Sequence, residues 1–230
     1  NCGELYGNQV VFITRHGPKH SVAPHMINYR ANIWALKSLG VEEIFATTAV
    51  GSCNPEMQAG HFVVCDQLID LTKNRINTFF DNPVRGVAHA DFTQPYCATL
   101  RNKVIHCLAE TDITFHKTGC YVCTEGPRFE TAAEVRMAAI LGGDLLGMTN
   151  ATEAVLAREA EICYTNCSIV TNMGAGISKT PLSHQEVEEA MQHSAKNMAL
   201  LIDKFLAYNA EEPVVCRCKK AMAEFGGFKL

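Results

Sequence analysis

The sequence has little of what marks several classes of protein. Its 230 residues include one tryptophan and eight prolines, with a formal net charge of −4 and no block of five or six like charges. No apolar run approaches the roughly eighteen residues of a membrane-spanning helix. These absences exclude a disordered or collagen-like chain and leave no basic surface for nucleic-acid phosphates. We therefore expect a cytoplasmic protein with no nucleic-acid partner and no membrane partner.

What the sequence does have is eleven cysteines. The C-x-x-C at 120–123 lies in a predicted strand, where side chains three residues apart point to opposite faces. Cys163 and Cys167 share a strand face but would lie ~13 Å apart, at ~3.3 Å per residue. An odd count with these spacings matches no secreted disulfide framework, so we predict mainly buried thiols and no metal site. Cys216 and Cys218 leave a local redox pair open.

Short β-branched apolar runs alternate along the chain with segments of helical periodicity. Strands are predicted at 10–14, 44–50, 61–71, around Cys120, 145–148 and 162–171. Helices are predicted at 27–39, ending at Gly40, and at 98–110, 130–141, 152–160 and 183–207, with a loop at 74–95. This alternation is typical of an α/β protein with a mixed central sheet flanked by helices. We expect one domain over residues 1–230, with 210–230 as a C-terminal tail.

Polar residues follow five of the predicted strands, where α/β proteins usually place their chemistry. They are Arg15 with His16, Thr48 with Ala49, Glu130, Thr149, and Asn172. A guanidinium, hydroxyls and backbone N–H groups suit an oxyanion, and a carboxylate with a carboxamide suits a heterocyclic base. Each residue also has a structural interpretation, such as a salt bridge at a turn for Arg15 or a helix-starting acid for Glu130. No Ser or Cys nucleophile with a paired base is evident.

Six motifs together carry a family resemblance. They are RHG-x-x-H at 15–20, NYRANIWALKSLG at 28–40, TTAVGS at 47–52, DQLID at 66–70, EGPRFET at 125–131 and GMT-x-x-x-E at 147–153. From about residue 10 to 206 the chain resembles the trimeric purine nucleoside phosphorylase and methylthioadenosine phosphorylase family. The resemblance implies a nucleoside phosphorylase-like fold and a homotrimer or dimer of trimers. It also implies phosphorolysis of a purine nucleoside, with inorganic phosphate as co-substrate and no cofactor or metal.

The resemblance assigns roles to individual positions. The implied phosphate ligands are Arg15, His16, Thr48, the backbone of Ala49, and Thr149. The implied nucleoside contacts are Met148, Phe129, Glu130, Asn172, His89 from a neighbouring subunit, and His184 at the 5′-hydroxyl. Of these, Asn172, Glu130 and His184 are the expected catalytic residues, and His20 is either an aid to binding or structural. For His184 the competing interpretation is a histidine in the first turn of the last helix.

Base selectivity follows from two of these positions. Methylthioadenosine enzymes typically carry Ser and Asp where this chain has Glu130 and Asn172. A carboxylate accepts a hydrogen bond from the N1–H of a 6-oxopurine, but in adenine it would face the lone pair of N1. The amide of Asn172 can form hydrogen bonds with O6 and N7 of a 6-oxopurine. We therefore expect inosine and guanosine as substrates, with ribose 1-phosphate as product. The alternatives are a 5′-methylthioadenosine or 5′-methylthioinosine phosphorylase, or a non-catalytic purine-binding or assembly subunit.

Three departures from the family pattern stand beside the resemblance. The usual upstream strand with a Gly-rich phosphate loop has no counterpart before Val10, and we expect it to lie in a part of the protein that precedes residue 1. The segment 150–153 lacks a proline often present before Glu153. The chain after Asn209, which contains Cys216 and Cys218, matches nothing in the family pattern.

Overall fold

The computed structural model describes residues 1–81, 83–177, 184–208 and 216–230. Its strands are β1 Cys2–Leu5, β2 Asn8–Val11, β3 Glu43–Ser52, β4 Phe62–Val64, β5 Gln67–Asp70, β6 Phe115–His116, β7 Cys120–Cys123, β8 Leu145–Gly147 and β9 Cys163–Met173. Its α-helices are α1 Tyr29–Ser38, α2 Ala98–Ala109, α3 Ala132–Ile140, α4 Asn150–Glu159 and α5 His184–Ala207. Short 3₁₀ helices lie at Pro24–Met26, Cys218–Lys220 and Ala223–Phe225. The predicted α/β class, with a mixed sheet flanked by helices, is confirmed.

Seven strands form one mixed sheet in the order β5-β7-β8-β3-β9-β4-β6. The long strands β3 and β9 lie parallel at its centre, while β8 and β4 run antiparallel to them. The strand β9 is buried along most of its length, as expected for a central strand covered on both faces. Buried apolar side chains fill the space between this sheet and the helices in two large clusters.

The predicted strand at 61–71 is two strands. The backbone leaves the ladder at Cys65, whose N–H bonds to the carbonyl of Asn166, and at Asp66, whose N–H bonds to the carbonyl of Gly119. As a result β4 pairs next to β9, while β5 lies at the opposite edge of the sheet. Two residues therefore connect strands at distant positions in the sheet order, which requires the sheet to curl.

The prediction of a buried strand at 10–14 is wrong. The segment Asn8–Val11 pairs antiparallel with β1 in a separate two-stranded sheet, and neither Phe12 nor Ile13 continues it. Phe12 is 59% exposed and Ile13 38% exposed. The β-branched composition of this run predicted an extended backbone, but composition does not reveal which faces other elements cover. The analysis of the sequence also missed β1 and β6.

Local sequence signals explain where the helices begin and end. The Asn28 side chain accepts the Ala31 N–H at the start of α1, and Gly40 adopts a φ of +77° just after its end. Thr131 caps α3 in a reciprocal pair with Glu134. The helix predicted at 130–141 therefore starts at residue 132, two residues later than predicted, and Glu130 lies in the loop that precedes it.

The last described residues pack onto the body of the protein. Met222 is fully buried, and the Phe228 ring lies 5.7 Å from the Trp34 ring and 5.1 Å from the Phe79 ring. The segment 216–230 is thus part of the folded structure, although residues 209–215 lie outside the described part of the chain. Among the described helices, none has both the length and the apolar character to cross a membrane.

Candidate active site

Most of the predicted site residues line one cavity of about 1520 Å³. Those whose side chain or backbone reaches it are Arg15, His16, His20, Thr48, Ala49, Phe129, Glu130, Met148, Thr149 and Asn172. They come from the segments that follow β2, β7 and β8 and from the strands β3 and β9. The fold therefore brings together residues that the sequence spreads over about 160 positions.

Arg15 is held in place by three hydrogen bonds. Its Nε donates to Glu153 Oε1 at 2.6 Å, its Nη2 donates to Glu153 Oε2 at 3.0 Å, and its Nη1 donates to the carbonyl of Thr47 at 2.9 Å. Tyr164 donates to the same carboxylate at 2.8 Å. Because a guanidinium has five N–H groups, one remains on each terminal nitrogen of Arg15 for a ligand.

The charge of Arg15 is balanced inside the protein. Burial opposes the charged form, but the paired carboxylate of Glu153 outweighs burial and raises the pKa of the guanidinium. The ion pair as a whole contributes no net charge, since Glu153 is itself 8% exposed and bonded to Arg15. An anion beside Arg15 is therefore stabilised by directed N–H donors more than by a net positive charge.

The amino end of α4 adds further donors. Thr149 is the N-cap residue of this ten-residue helix, and its hydroxyl makes no capping hydrogen bond. Its side chain is buried at the wall of the cavity. The positive end of the helix dipole lies at this residue and favours an anion beside it. Arg15 and Thr149 together form the part of the cavity best suited to an oxyanion.

The Thr48 hydroxyl belongs to a buried polar network beneath the cavity. It lies 2.9 Å from Ser168 Oγ and accepts from Asn166 Nδ2 at 3.2 Å. Ser168 in turn donates to Asn166 Oδ1 at 2.7 Å. Ala49 is exposed on the cavity side, and its backbone follows Thr48 directly. This network fixes the position of Thr48, whose own proton points to Ser168 Oγ because the Ser168 proton goes to Asn166.

His16 is a neutral group at the cavity wall. Its Nδ1 donates to the carbonyl of Val22 at 2.9 Å, and its ring stacks on His20 with centroids 4.3 Å apart. Burial lowers the pKa of His16, and the bond to Val22 only partly opposes this effect. With the proton on Nδ1, the other ring nitrogen can accept a hydrogen bond.

The lowered pKa of His16 predicts a loss of stability in acid. Between its ordinary value near 6.5 and its lower folded value, the unfolded chain binds a proton that the folded chain does not. The free energy of unfolding should therefore fall as the pH drops below about 6.5. In His16→Asn, urea unfolding at several pH values should give a shallower fall. An unchanged slope in His16→Asn would contradict the assignment of this acid sensitivity to His16.

A β-bulge sets the direction of Asn172. Along β3 and β9, Val50 pairs with Val170 but Gly51 pairs with Asn172, so Thr171 is an extra residue. In a regular strand Asn172 would point to the same face as the buried Val170, and the insertion changes that direction. The Thr171 hydroxyl donates to Asn172 Oδ1 at 2.8 Å, and Asn172 Nδ2 donates to the Met173 carbonyl at 3.0 Å.

Glu130 is held by one hydroxyl. Thr124, directly after β7, donates to Glu130 Oε1 at 2.6 Å. The second carboxylate oxygen has no hydrogen bond in the described part of the chain, and Glu130 lines the cavity. Phe129, 39% exposed, lines the cavity next to it. Glu130 and Asn172 thus offer an acceptor and an amide to a base.

Met148 packs against a turn that needs glycine. Gly126 has a φ of +67°, and a Cβ there would lie 2.5 Å from the Met148 sulfur. Arg75 fixes the backbone at this point, since its Nη2 donates to the Met148 carbonyl at 3.0 Å and its Nε to Glu125 Oε1 at 2.8 Å. The Met148 side chain is thereby confined at the cavity wall.

Comparison with known proteins identifies the family. The model of the "Phosphorylase superfamily" matches residues 2–207. The chain belongs to that superfamily. The resemblance expected from the six motifs is therefore confirmed.

Relatives of this phosphorylase carry related names. A protein of Moorella thermoacetica named probable 6-oxopurine nucleoside phosphorylase is 51% identical over 219 residues, covering 95% of this chain and 84% of the relative. The 6-oxopurine nucleoside phosphorylase of Pyrococcus furiosus is 50% identical over 225 residues, covering 96% and 84%. An S-methyl-5′-thioadenosine phosphorylase of Thermofilum pendens is 42% identical over 222 residues, covering 96% and 83%.

Solved structures agree on the fold of the phosphorylase. A methylthioadenosine phosphorylase from an Antarctic soil metagenomic library has a TM-score of 0.90 at 36% identity, over 97% of this chain and 78% of that one. The Schistosoma mansoni methylthioadenosine phosphorylase, solved with adenine, has a TM-score of 0.86 at 30% identity, over 90% and 78%. The predicted nucleoside phosphorylase-like architecture is confirmed.

Two predicted residues of the phosphorylase are not placed with the rest. His89 is exposed on the loop after residue 83 and does not line the cavity of its own chain. Its role towards a neighbouring subunit stays a prediction. His184 is the first residue of α5, but its side chain lies outside the described part of the chain. Val187, three residues further along α5, does line the cavity.

The residues that position the ligands of the phosphorylase are not evident from its sequence. In the sequence Glu153 is only the last residue of the GMT-x-x-x-E motif. No local pattern links it to Arg15, which lies 138 positions earlier. Tyr164 lies inside a strand whose apolar composition hides its hydroxyl contact. Arg75 lies in a predicted loop, yet its side chain is 2% exposed. A useful signal was available for Glu153, because a carboxylate in the first turn of a buried helix requires a cationic partner.

Proposed function

We propose that the protein is a purine nucleoside phosphorylase that converts 6-oxopurine nucleosides, inosine and guanosine, to the free base and ribose 1-phosphate. The observation that carries this proposal is one cavity with two chemically different parts. Glu130 and Asn172 line one part, and Arg15 and Thr149 line the other. The names of the relatives about 50% identical support the same substrate class.

The phosphate is the nucleophile in this proposal. The free N–H groups of Arg15 and the hydroxyls of Thr48 and Thr149 would hold and orient it. The His16 nitrogen that does not bond to Val22 would accept a hydrogen bond from a phosphate hydroxyl. Positioning of a bound nucleophile replaces the need for a covalent enzyme intermediate.

The purine is the leaving group. A phosphate oxygen forms a bond to C1′ as the bond from C1′ to purine N9 breaks, and the bonding electron pair moves onto the base. The Asn172 amide would stabilise that charge by donating at N7, and Glu130 would accept the N1–H of hypoxanthine or guanine. Met148 would pack beneath the ribose. No step requires a metal or an organic cofactor.

Assembly and location are also proposals. The exposed loop that carries His89 suits a contribution to the cavity of a second copy, which supports a homotrimer or a dimer of trimers. We place the enzyme in the cytoplasm, where nucleosides and phosphate are both available.

One observation favours a second candidate. Val187 and Met191 of α5 bring apolar surface to the cavity near the helix start that carries His184. Apolar surface there would suit a 5′-methylthio group. A 5′-methylthioinosine phosphorylase would keep Glu130 and Asn172, and a Methanothermobacter thermautotrophicus relative with that name is 44% identical.

The deciding experiment measures base release from four nucleosides, with and without phosphate. We expect phosphate-dependent hypoxanthine from inosine, with kcat/KM at least about 10²-fold above that for adenosine or methylthioadenosine, as ~3 kcal/mol of mismatch implies. Faster turnover of methylthioinosine than of inosine would favour the second candidate. Adenine release without hypoxanthine release would overturn the proposal, and purine binding without turnover would identify a non-catalytic binding subunit.

A further inference from the structure

Four of the eleven cysteines meet at one point, away from the residues that line the cavity. The Sγ atoms of Cys97, Cys163, Cys216 and Cys218 all lie within 4.8 Å of one another. Cys163 and Cys216 are the closest recorded pair, at 3.2 Å. Three of the four residues are buried, and Cys216 is partly buried. These four residues are called the cysteine cluster below.

Three distant parts of the chain build the cysteine cluster. Cys97 is the N-cap residue of α2, and its N–H bonds to the carbonyl of Tyr164 at 2.8 Å. Cys163 begins β9, and its N–H bonds to the carbonyl of Glu42 at 2.9 Å. Cys216 and Cys218 come from the C-terminal segment. Comparing only cysteines close in sequence could not reveal this set, which is why the sequence analysis predicted no metal site.

The other buried cysteines behave as predicted. Cys53, Cys65, Cys107, Cys123 and Cys167 are buried free thiols within the apolar core. Burial raises the pKa of Cys65 to about 12 and that of Cys123 to about 12. Such thiols are unreactive and need no ligand. The cysteine cluster differs from them because its sulfurs face one another.

The spacing of the cysteine cluster suits one tetrahedral ion. With a Zn–S distance of ~2.3 Å, four tetrahedral thiolates lie ~3.8 Å apart. The separations of the cluster, which reach 4.8 Å at most, bracket that value. The sulfurs therefore need to move by less than about an ångström to surround zinc.

The surroundings also suit the charge of such a site. Four thiolates and Zn²⁺ carry a net charge of −2. The positive charge of the Arg158 guanidinium attracts a thiolate at Cys218, and that of the Lys219 ammonium attracts one at Cys163. Cys97 lies at the positive end of the α2 dipole.

We propose that Cys97, Cys163, Cys216 and Cys218 bind one Zn²⁺ in a structural site that attaches the C-terminal segment to α2 and β9. Four protein ligands and burial leave no open position, which is the pattern of structural zinc sites. Two of the ligands come from the segment that also buries Met222 and Phe228. The site is independent of the phosphorolysis chemistry, since none of its sulfurs lines the cavity.

The test is the zinc content of the full-length protein. The cells are grown with zinc and the protein is purified in the presence of a phosphine reductant. We expect about one zinc per chain by inductively coupled plasma mass spectrometry. Cys216→Ser with Cys218→Ser should lower this content at least tenfold. Cys2→Ser with Cys120→Ser removes two thiols elsewhere and should leave it unchanged. Cobalt loaded in place of zinc should give a thiolate-to-metal charge-transfer band in the wild type only.

A second measurement uses the wild-type protein alone and so does not depend on how a variant folds. Titration with an organomercurial should release the zinc as four thiols react, and a zinc chelator should lower Tm. Less than about 0.1 zinc per chain in zinc-grown wild-type protein would overturn the proposal. A mass four hydrogens below that of the reduced chain would overturn it as well, because it would identify two disulfides instead of a metal site.

Discussion

Arg15→Met is expected to lower kcat/KM for phosphate in inosine phosphorolysis by about 10³-fold. The substitution removes both N–H groups that Arg15 keeps free for phosphate, and charge-assisted hydrogen bonds contribute ~1.5–3 kcal/mol each. A loss of ~4 kcal/mol corresponds to a factor of about 10³. The effect should be measured at saturating inosine with phosphate varied, where the loss appears mainly in the phosphate dependence.

The same substitution should also destabilise the protein, because it leaves the buried Glu153 with Tyr164 as its remaining recorded partner. Breaking a buried ion pair by removing one member typically costs ~3–5 kcal/mol. Arg15→Met with Glu153→Gln should regain much of the stability but none of the activity. Arg136→Met, at an exposed position of α3, is the matched control and should change neither. Recovery of activity together with stability would contradict a phosphate-binding role for Arg15.

The second large effect is expected from exchanging the base-recognition pair. Glu130→Ser with Asn172→Asp should shift the ratio of kcat/KM for inosine over adenosine by about 10³-fold towards adenosine. Each substitution replaces a matched contact to a 6-oxopurine by one matched to a 6-aminopurine, and a mismatched buried polar pair costs ~1–3 kcal/mol. Competition between the two nucleosides in one reaction measures the ratio directly.

Thr124→Val is the control for this exchange. It removes the hydroxyl that holds Glu130 at 2.6 Å but keeps both base-recognition side chains. We expect about a tenfold loss of activity with inosine and a shift in preference at least tenfold smaller than that of the double variant, since one hydrogen bond to a carboxylate contributes ~1.5–3 kcal/mol. An unchanged preference in the double variant would refute the roles of Glu130 and Asn172.

Much of the fold could be predicted because local signals agree with the final structure. The helical period of α1, its Asn28 cap and the Gly40 that follows are all local features. The central strand β9 is a long run buried on both faces, and β3 beside it alternates buried with more exposed positions. The errors lie where long-range contacts decide. At Cys65 the backbone leaves one ladder to join another, and at Phe12 the described part of the chain leaves an apolar run exposed.

The candidate site shows the same division. Residues that follow strands could be selected from the sequence because strand ends collect polar chemistry. Their direction could not, since Asn172 depends on a one-residue insertion relative to β3 and Arg15 depends on a carboxylate 138 positions away. The resemblance to a family supplied the roles of the residues, but it did not include the contacts that hold them.

The single tryptophan of the chain lies where the C-terminal segment meets the body of the protein. The Trp34 ring is 5.7 Å from that of Phe228 and 5.0 Å from the guanidinium of Arg85, which itself bonds to the Lys229 carbonyl. The tryptophan fluorescence is therefore sensitive to whether residues 228 and 229 are docked. Detachment of the chain end from the folded body can be followed in solution without a label.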